Sequence, residues 1–138
     1  MKPLEDPEAA AWGAKADHDL RAATILFASG EPLYDVICFH CQQVAEKSLK
    51  MLLVAADQQP PRTHDLVELV ALAAVHAPGV LALEPEALEL LPYSVLPRYP
   101  SFLGESGRPD AQRALDAAHR FREQTLALLR PGAPAAPG

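Results

Sequence analysis

Around residues 36–53 the apolar positions are spread too widely for a one-sided amphipathic helix. Plotted at about 100° per residue, Met51, Val44, Ile37, Ser48, Cys41, Leu52, Ala45, Cys38 and Leu49 follow one another around a broad arc. A surface helix needs an apolar stripe only somewhat wider than about 100°, so this segment is the expected central helix, with neighbours on two sides. The remaining strip carries His40, Gln43, Lys47 and Lys50, with Glu46 and Gln42 along its edge. One face is core, and the other is chemistry or solvent.

The same periodicity places the other elements. Pro7 suits a first helical position and Asp6 an N-cap, and Trp12, Ala16, Leu20, Ala23 and Phe27 then recur at helical spacing over 7–29. Gly30-Glu31-Pro32 ends that helix, and the short link to a central helix over 33–56 predicts an antiparallel hairpin. Asp57 to Thr63 is rich in turn residues, with two prolines fixing an extended path. Thr63 can cap a helix over 64–77 whose Leu66, Leu69, Val70, Ala73 and Ala77 share a side, and Pro78-Gly79 stops it. A short apolar helix over 86–91 ends at Pro92.

Residues 92–109 hold four prolines and two glycines and resist a helical reading. Tyr93, Tyr99 and Phe102 suggest that part of this loop packs down. A helix over 110–129 follows, with Ala114, Leu115, Ala118, Phe121, Thr125 and Leu128 as its stripe, and 130–138 reads as a disordered Pro/Ala/Gly tail. No strand-like alternation occurs. The expected fold is all-α, an up-and-down bundle of four main helices and a short one, in a single domain over 7–129.

With 138 residues the chain can bury a real core without staples. Hydrophobic residues make up 49% and charged residues 22%, and no stretch approaches the roughly 20 apolar residues of a membrane span. The first residues lack the layout of a secretion signal, so a cytoplasmic, membrane-free protein is expected. A net charge of −6 argues against charge-driven binding to nucleic acid, which depends on Lys and Arg displacing counterions.

Candidate chemistry is sparse, and each group has a bland rival. Cys38 and Cys41 form a Cys-x-x-Cys, but well inside a helix and within the apolar arc, where buried core thiols are the simpler account. Zinc wants four ligands, and no second Cys or His pair stands at ligand spacing, so neither metal nor cofactor is expected. His40, Gln43 and Lys47 share a helix face and can converge on one ligand; the rival is a solvated or dimer-facing strip. Thr63 and Asp65 are explained by a helix start, whereas His64 is not, and its imidazole could bind an acid or a phosphate. Arg98-Tyr99-Pro100 could hold a phosphate and stack a base, or Arg98 could bridge the loop to the bundle.

Phe39-His40-Cys41-Gln42-Gln43-Val44-Ala45-Glu46-Lys47-Ser48-Leu49-Lys50, then Thr63-His64-Asp65-Leu66, then Arg98-Tyr99-Pro100, in this order on an all-helical chain, resemble the HEPN family over roughly residues 10–129. The resemblance implies a four- or five-helix up-and-down bundle that is usually a homodimer and is often encoded beside a small nucleotidyltransferase. It also implies a nucleotide- or partner-binding role for His40, Gln43, Lys47, His64, Asp65, Arg98 and Tyr99, in some cases within a toxin–antitoxin pair.

Many such proteins are metal-independent RNases that use an Arg followed, after four to six residues, by a His. Arg98 stands where that Arg is expected, but no His follows it in the window. Arg113 and His119 satisfy the spacing, yet six helical steps put them about 240° and about 9 Å apart, so one chain would not bring them into one site. The expected function is a non-catalytic dimeric module that binds a nucleotide or partners a nucleotidyltransferase. The alternatives are an RNase toxin acting on RNA through Arg113 and His119 across a dimer, or a purely structural dimerisation domain.

Overall fold

The computed structural model describes residues 6–94 and 106–130. The described residues form helices α1 (Pro7–Ser29), α2 (Tyr34–Ala55), α3 (Leu66–Ala74), α4 (Glu84–Leu90) and α5 (Arg108–Leu129), with 3-10 turns over Pro78–Leu83 and Leu91–Ser94, and no strand. The all-α bundle expected from periodicity is the fold observed. Asp6 caps α1 as anticipated, its Oδ2 accepting from the Ala9 N–H at 3.1 Å. Gly30, at φ 77°, closes that helix in the left-handed region where a side chain is disfavoured.

Helix α2 is the axis of the bundle. Every residue from Ser48 to Ala55 is buried, so the segment is enclosed on all sides and not on two. α1 lies antiparallel to it and presents small residues, Ala9, Gly13, Ala16 and Ala23, as its buried positions. The approach is close: a methyl group at Gly13 would lie 3.0 Å from Arg122 Nη2 and 3.2 Å from Met51 Sδ. α5 packs against both α1 and α2, with Ala111, Ala114, Ala118 and Phe121 among its buried residues. Its direction follows from two contacts with α1. Arg108 sits over the Phe27 ring at 4.2 Å, and Arg122 reaches Asp17 at 2.6 Å and the Gly13 carbonyl at 3.3 Å, so α5 runs antiparallel to α1. α3, α4 and the Leu91–Ser94 turn cover the remaining side of α2 with Leu66, Leu69, Leu90 and Tyr93 buried, while the Pro78–Leu83 turn packs against α3, α4 and α5 with Val80 and Leu83 buried.

Four expected boundaries shift for local reasons. α3 begins at Leu66 because Asp65, and not Thr63, is its N-cap: Asp65 Oδ1 accepts from the Val67 and Glu68 N–H groups at 3.0 and 3.3 Å. Thr63 Oγ1 instead donates to Glu68 Oε2 at 3.1 Å and accepts from the Asp65 N–H at 3.2 Å. The helix stops at Ala74, before the chain tightens into the 3-10 turn that starts at Pro78. α4 takes Pro85 into its first turn, where no N–H is needed. α5 starts at Arg108, since Asp110 Oδ2 accepts from the Gly107 N–H at 2.8 Å. Tyr93 is buried in the core as its aromatic character suggested. Tyr99, Phe102 and residues 131–138 lie outside the described residues.

Candidate functional site

The polar strip of α2 is organised by two carboxylates that are themselves almost out of solvent. Asp19, on α1, faces the strip: its Oδ1 meets His40 Nδ1 at 2.8 Å and its Oδ2 accepts from Lys47 Nζ at 2.5 Å. Burial pushes the Asp19 carboxyl up, but the hydrogen bonds from His40 and Lys47 outweigh it and hold the group below its usual value. Glu46, on α2, does the same job one helical column away. Its Oε1 meets His64 Nδ1 at 2.8 Å and Gln42 Nε2 at 3.3 Å, and its Oε2 accepts from Lys50 Nζ at 3.2 Å.

Gln42, fully buried, extends the Glu46 network to Gln43 and to the segment before α3. Its Nε2 also donates to the His64 carbonyl at 3.2 Å, pinning the segment before α3 to α2, while its Oε1 accepts from Gln43 Nε2 at 2.7 Å. A carboxylate only accepts hydrogen bonds, so each imidazole carries its hydrogen on Nδ1 and keeps Nε2 as the atom that can meet a ligand. These contacts line His40, Lys47 and His64 up along the α2 strip, which α1 meets through Asp19 and the segment before α3 meets through His64.

At the α2 C-terminal end of this strip lies a groove of 550 Å³, whose lining includes Trp12, Lys50, Pro60, Pro61 and Arg62. Lys50 Nζ stands 5.7 Å from the centre of the Trp12 ring. A second, shallower groove of 340 Å³ separates α4 from α5 and is lined by Glu86, Glu89, Arg113, Asp116 and Arg120 among others.

The sequence-derived candidates therefore fall into four groups. His40 and Lys47 are brought together on Asp19, and Gln43 and His64 join the adjacent network through Gln42 and Glu46. Asp65 is spent on capping α3. Arg98 and Tyr99 lie outside the described residues. Arg113 is exposed and bound to Glu89 at 3.1 Å and Asp110 at 2.6 Å, and His119, also exposed, does not line the groove that Arg113 enters. The two cysteines are buried. Burial pushes the Cys38 thiol up to about 11, and that of Cys41 higher still, which removes the thiolate a redox or metal role needs.

Periodicity alone missed Asp19, the residue that gathers the strip. Its signal was the heptad row Trp12, Asp19, Leu26, an acid between two partly buried apolar side chains. Glu46 and Gln42 were placed at the edge of the strip, whereas they are its buried centre.

The HEPN domain profile matches residues 9–128. The chain belongs to the HEPN family. Its fold is similar to that in the crystal structure of TT1696 from Thermus thermophilus, with a TM-score of 0.73 and 27% identity over 88% of this chain and 98% of the other. It is also similar to ST0689, an archaeal HEPN homologue, with a TM-score of 0.69 and 25% identity over 94% of this chain and all of the other. Among curated proteins nothing matches the sequence. No described helix of this HEPN chain is long and apolar enough to cross a membrane.

Proposed function

We propose that this HEPN chain is a non-catalytic, dimeric module that binds a nucleotide, or a minimal nucleotidyltransferase partner in a toxin–antitoxin-type pair, through the polar strip of α2. The observation that carries the reading is the pair of carboxylates, Asp19 and Glu46, which between them hold His40, Lys47, His64 and Lys50 on one face. Ion pairs this far out of solvent contribute little net stability compared with apolar side chains of the same size. They do pre-organise two imidazoles and two ammonium groups, an arrangement that suits the phosphates of a nucleotide or the acidic surface of a partner. Arg98 and Tyr99 belong to the proposal on the strength of their sequence motif. The exposed Leu72, Val75, Leu81 and Leu88 on α3, the turn after it and α4 supply apolar surface of the kind a protein partner covers.

Calorimetry with mononucleotides and triphosphates tests the ligand half; absence of heat with every one of them at millimolar concentration refutes it. Co-purification with a small nucleotidyltransferase encoded beside it tests the partner half. Light scattering should return a dimer, and a monomer would sink that part of the reading. RNA incubated with the pure protein should stay intact.

A further inference from the structure

Trp12 and Arg62 had no part in the motif that pointed to the α2 strip, yet they meet Lys50, the last residue of that motif, at the end of the strip. We infer that their groove is where the nucleotide sits, with the base stacked on Trp12 and a single phosphate held by Arg62. The inference rests on the nucleotide-binding reading and adds a place and a preferred ligand, a nucleoside monophosphate.

Shape and chemistry both support it. The volume of 550 Å³ falls within the roughly 300–1,000 Å³ of small-molecule sites. The half-buried indole of Trp12 offers an aromatic surface, and Pro60-Pro61, with fixed backbone angles and no N–H groups, makes a stiff wall. Such walls suit a flat heteroaromatic ring, because base and indole stack through their π-faces. Lys50 is more than nine-tenths buried, and its ammonium has three donors, of which Glu46 accepts one. Another is available to a base edge or a ribose oxygen. Arg62 is exposed and forms no ion pair among the described residues, so its planar fork is open to a phosphate.

Charge decides how many phosphates. Glu8 and Asp57 also line the groove, Lys50 is already paired with Glu46, and the protein's net charge is −6. Glu8 can accept a ribose hydroxyl, and acidic side chains beside a single open guanidinium repel added negative charge. A monophosphate is favoured over a triphosphate on that ground.

Trp12 is the chain's only tryptophan, so its fluorescence reports on the groove directly. Titrated with AMP, the wild type should show saturable quenching. Inorganic phosphate at the same concentration should leave the emission unchanged, and ATP should bind at least about threefold more weakly than AMP. Arg62→Gln should weaken AMP at least about fivefold while leaving adenosine binding as it was, with an unchanged far-UV circular dichroism spectrum at this exposed position. If calorimetry detects AMP while Trp12 emission stays constant and Arg62→Gln binds as tightly as wild type, this inference is overturned and the nucleotide-binding reading stands. Equal quenching by inorganic phosphate, or tighter binding of ATP, overturns the stacking or the charge argument respectively. If calorimetry detects no nucleotide at all, the underlying reading fails and this inference with it.

Discussion

Replacing Glu46 with Leu tests whether the buried ion pair is the keystone of the α2 strip. The Glu46 side chain is 6% exposed and that of Lys50 9%, so the substitution leaves an ammonium group nearly out of water without its counterion. Removing one partner of such a pair costs about 3–5 kcal/mol. Lys50 faces the Trp12 groove and can extend its stem toward solvent there, which places the expected loss near about 3 kcal/mol. The bundle should stay folded, because small domains carry about 5–15 kcal/mol. The partner variant Lys50→Met should cost less, about 1–2 kcal/mol, since Glu46 keeps His64 and Gln42 as donors. The double variant, Glu46→Leu with Lys50→Met, removes both charges, fills their volume with apolar atoms, and should fall within about 1 kcal/mol of wild type. Urea unfolding followed by circular dichroism at neutral pH gives all four corners of the cycle. A double variant that loses the sum of its two single losses would refute the reasoning, and so would a Glu46→Leu loss below about 0.5 kcal/mol.

Three further outcomes follow from the geometry. Asp19 titrates below its usual value in the folded chain, so its contribution is fully present above about pH 3.8 and is lost as pH falls through the lower folded value. Asp19→Asn should therefore cost about 2 kcal/mol near neutral pH and flatten the acid limb of the stability curve; an unchanged acid limb would contradict the assignment. With Cys38 raised to about 11 and Cys41 higher, roughly one Cys38 in a thousand is thiolate at about pH 8. Ellman's reagent should label neither cysteine until the protein is unfolded, and fast labelling of the native state would overturn the buried-thiol account. Asp65→Ala removes two N-cap hydrogen bonds and should cost about 1 kcal/mol, more than Thr63→Ala does; thermal melts showing equal losses would return the capping role to Thr63.

Long-period features were legible and short-range ones were not. The stripes of α1, α2 and α5 each run through several turns, so their boundaries came out within two residues. The 3-10 turns at Pro78–Leu83 and Leu91–Ser94 are single-turn structures whose prolines read only as stops. In the site, His40, Gln43 and Lys47 were found because they share one helix face. Asp19 was not, because the partner that gives it meaning is 21 residues away on another helix. Glu46 was misjudged for a related reason: an acid at the edge of a helical wheel reads as solvated, and only the arrival of His64 from the segment before α3 shows that it is enclosed. Trp12 and Arg62 became neighbours through the return of the 57–62 link over α1, which no helical period encodes.

The closure of the bundle by Arg122 has a consequence for how the protein is made. Its hydrogen bonds to Asp17 and Gly13 join residues 105 and 109 positions apart, and α5 packs against both α1 and α2. During synthesis the α1–α2 hairpin leaves the ribosome long before α5, with Ile37, Val44, Leu49 and Met51 lacking their full cover. Transiently exposed apolar surface of this kind is where newly made chains aggregate. The α1–α2 hairpin is therefore the part of this chain whose yield in the cell depends most on translation speed and on chaperones that hold an unfinished core.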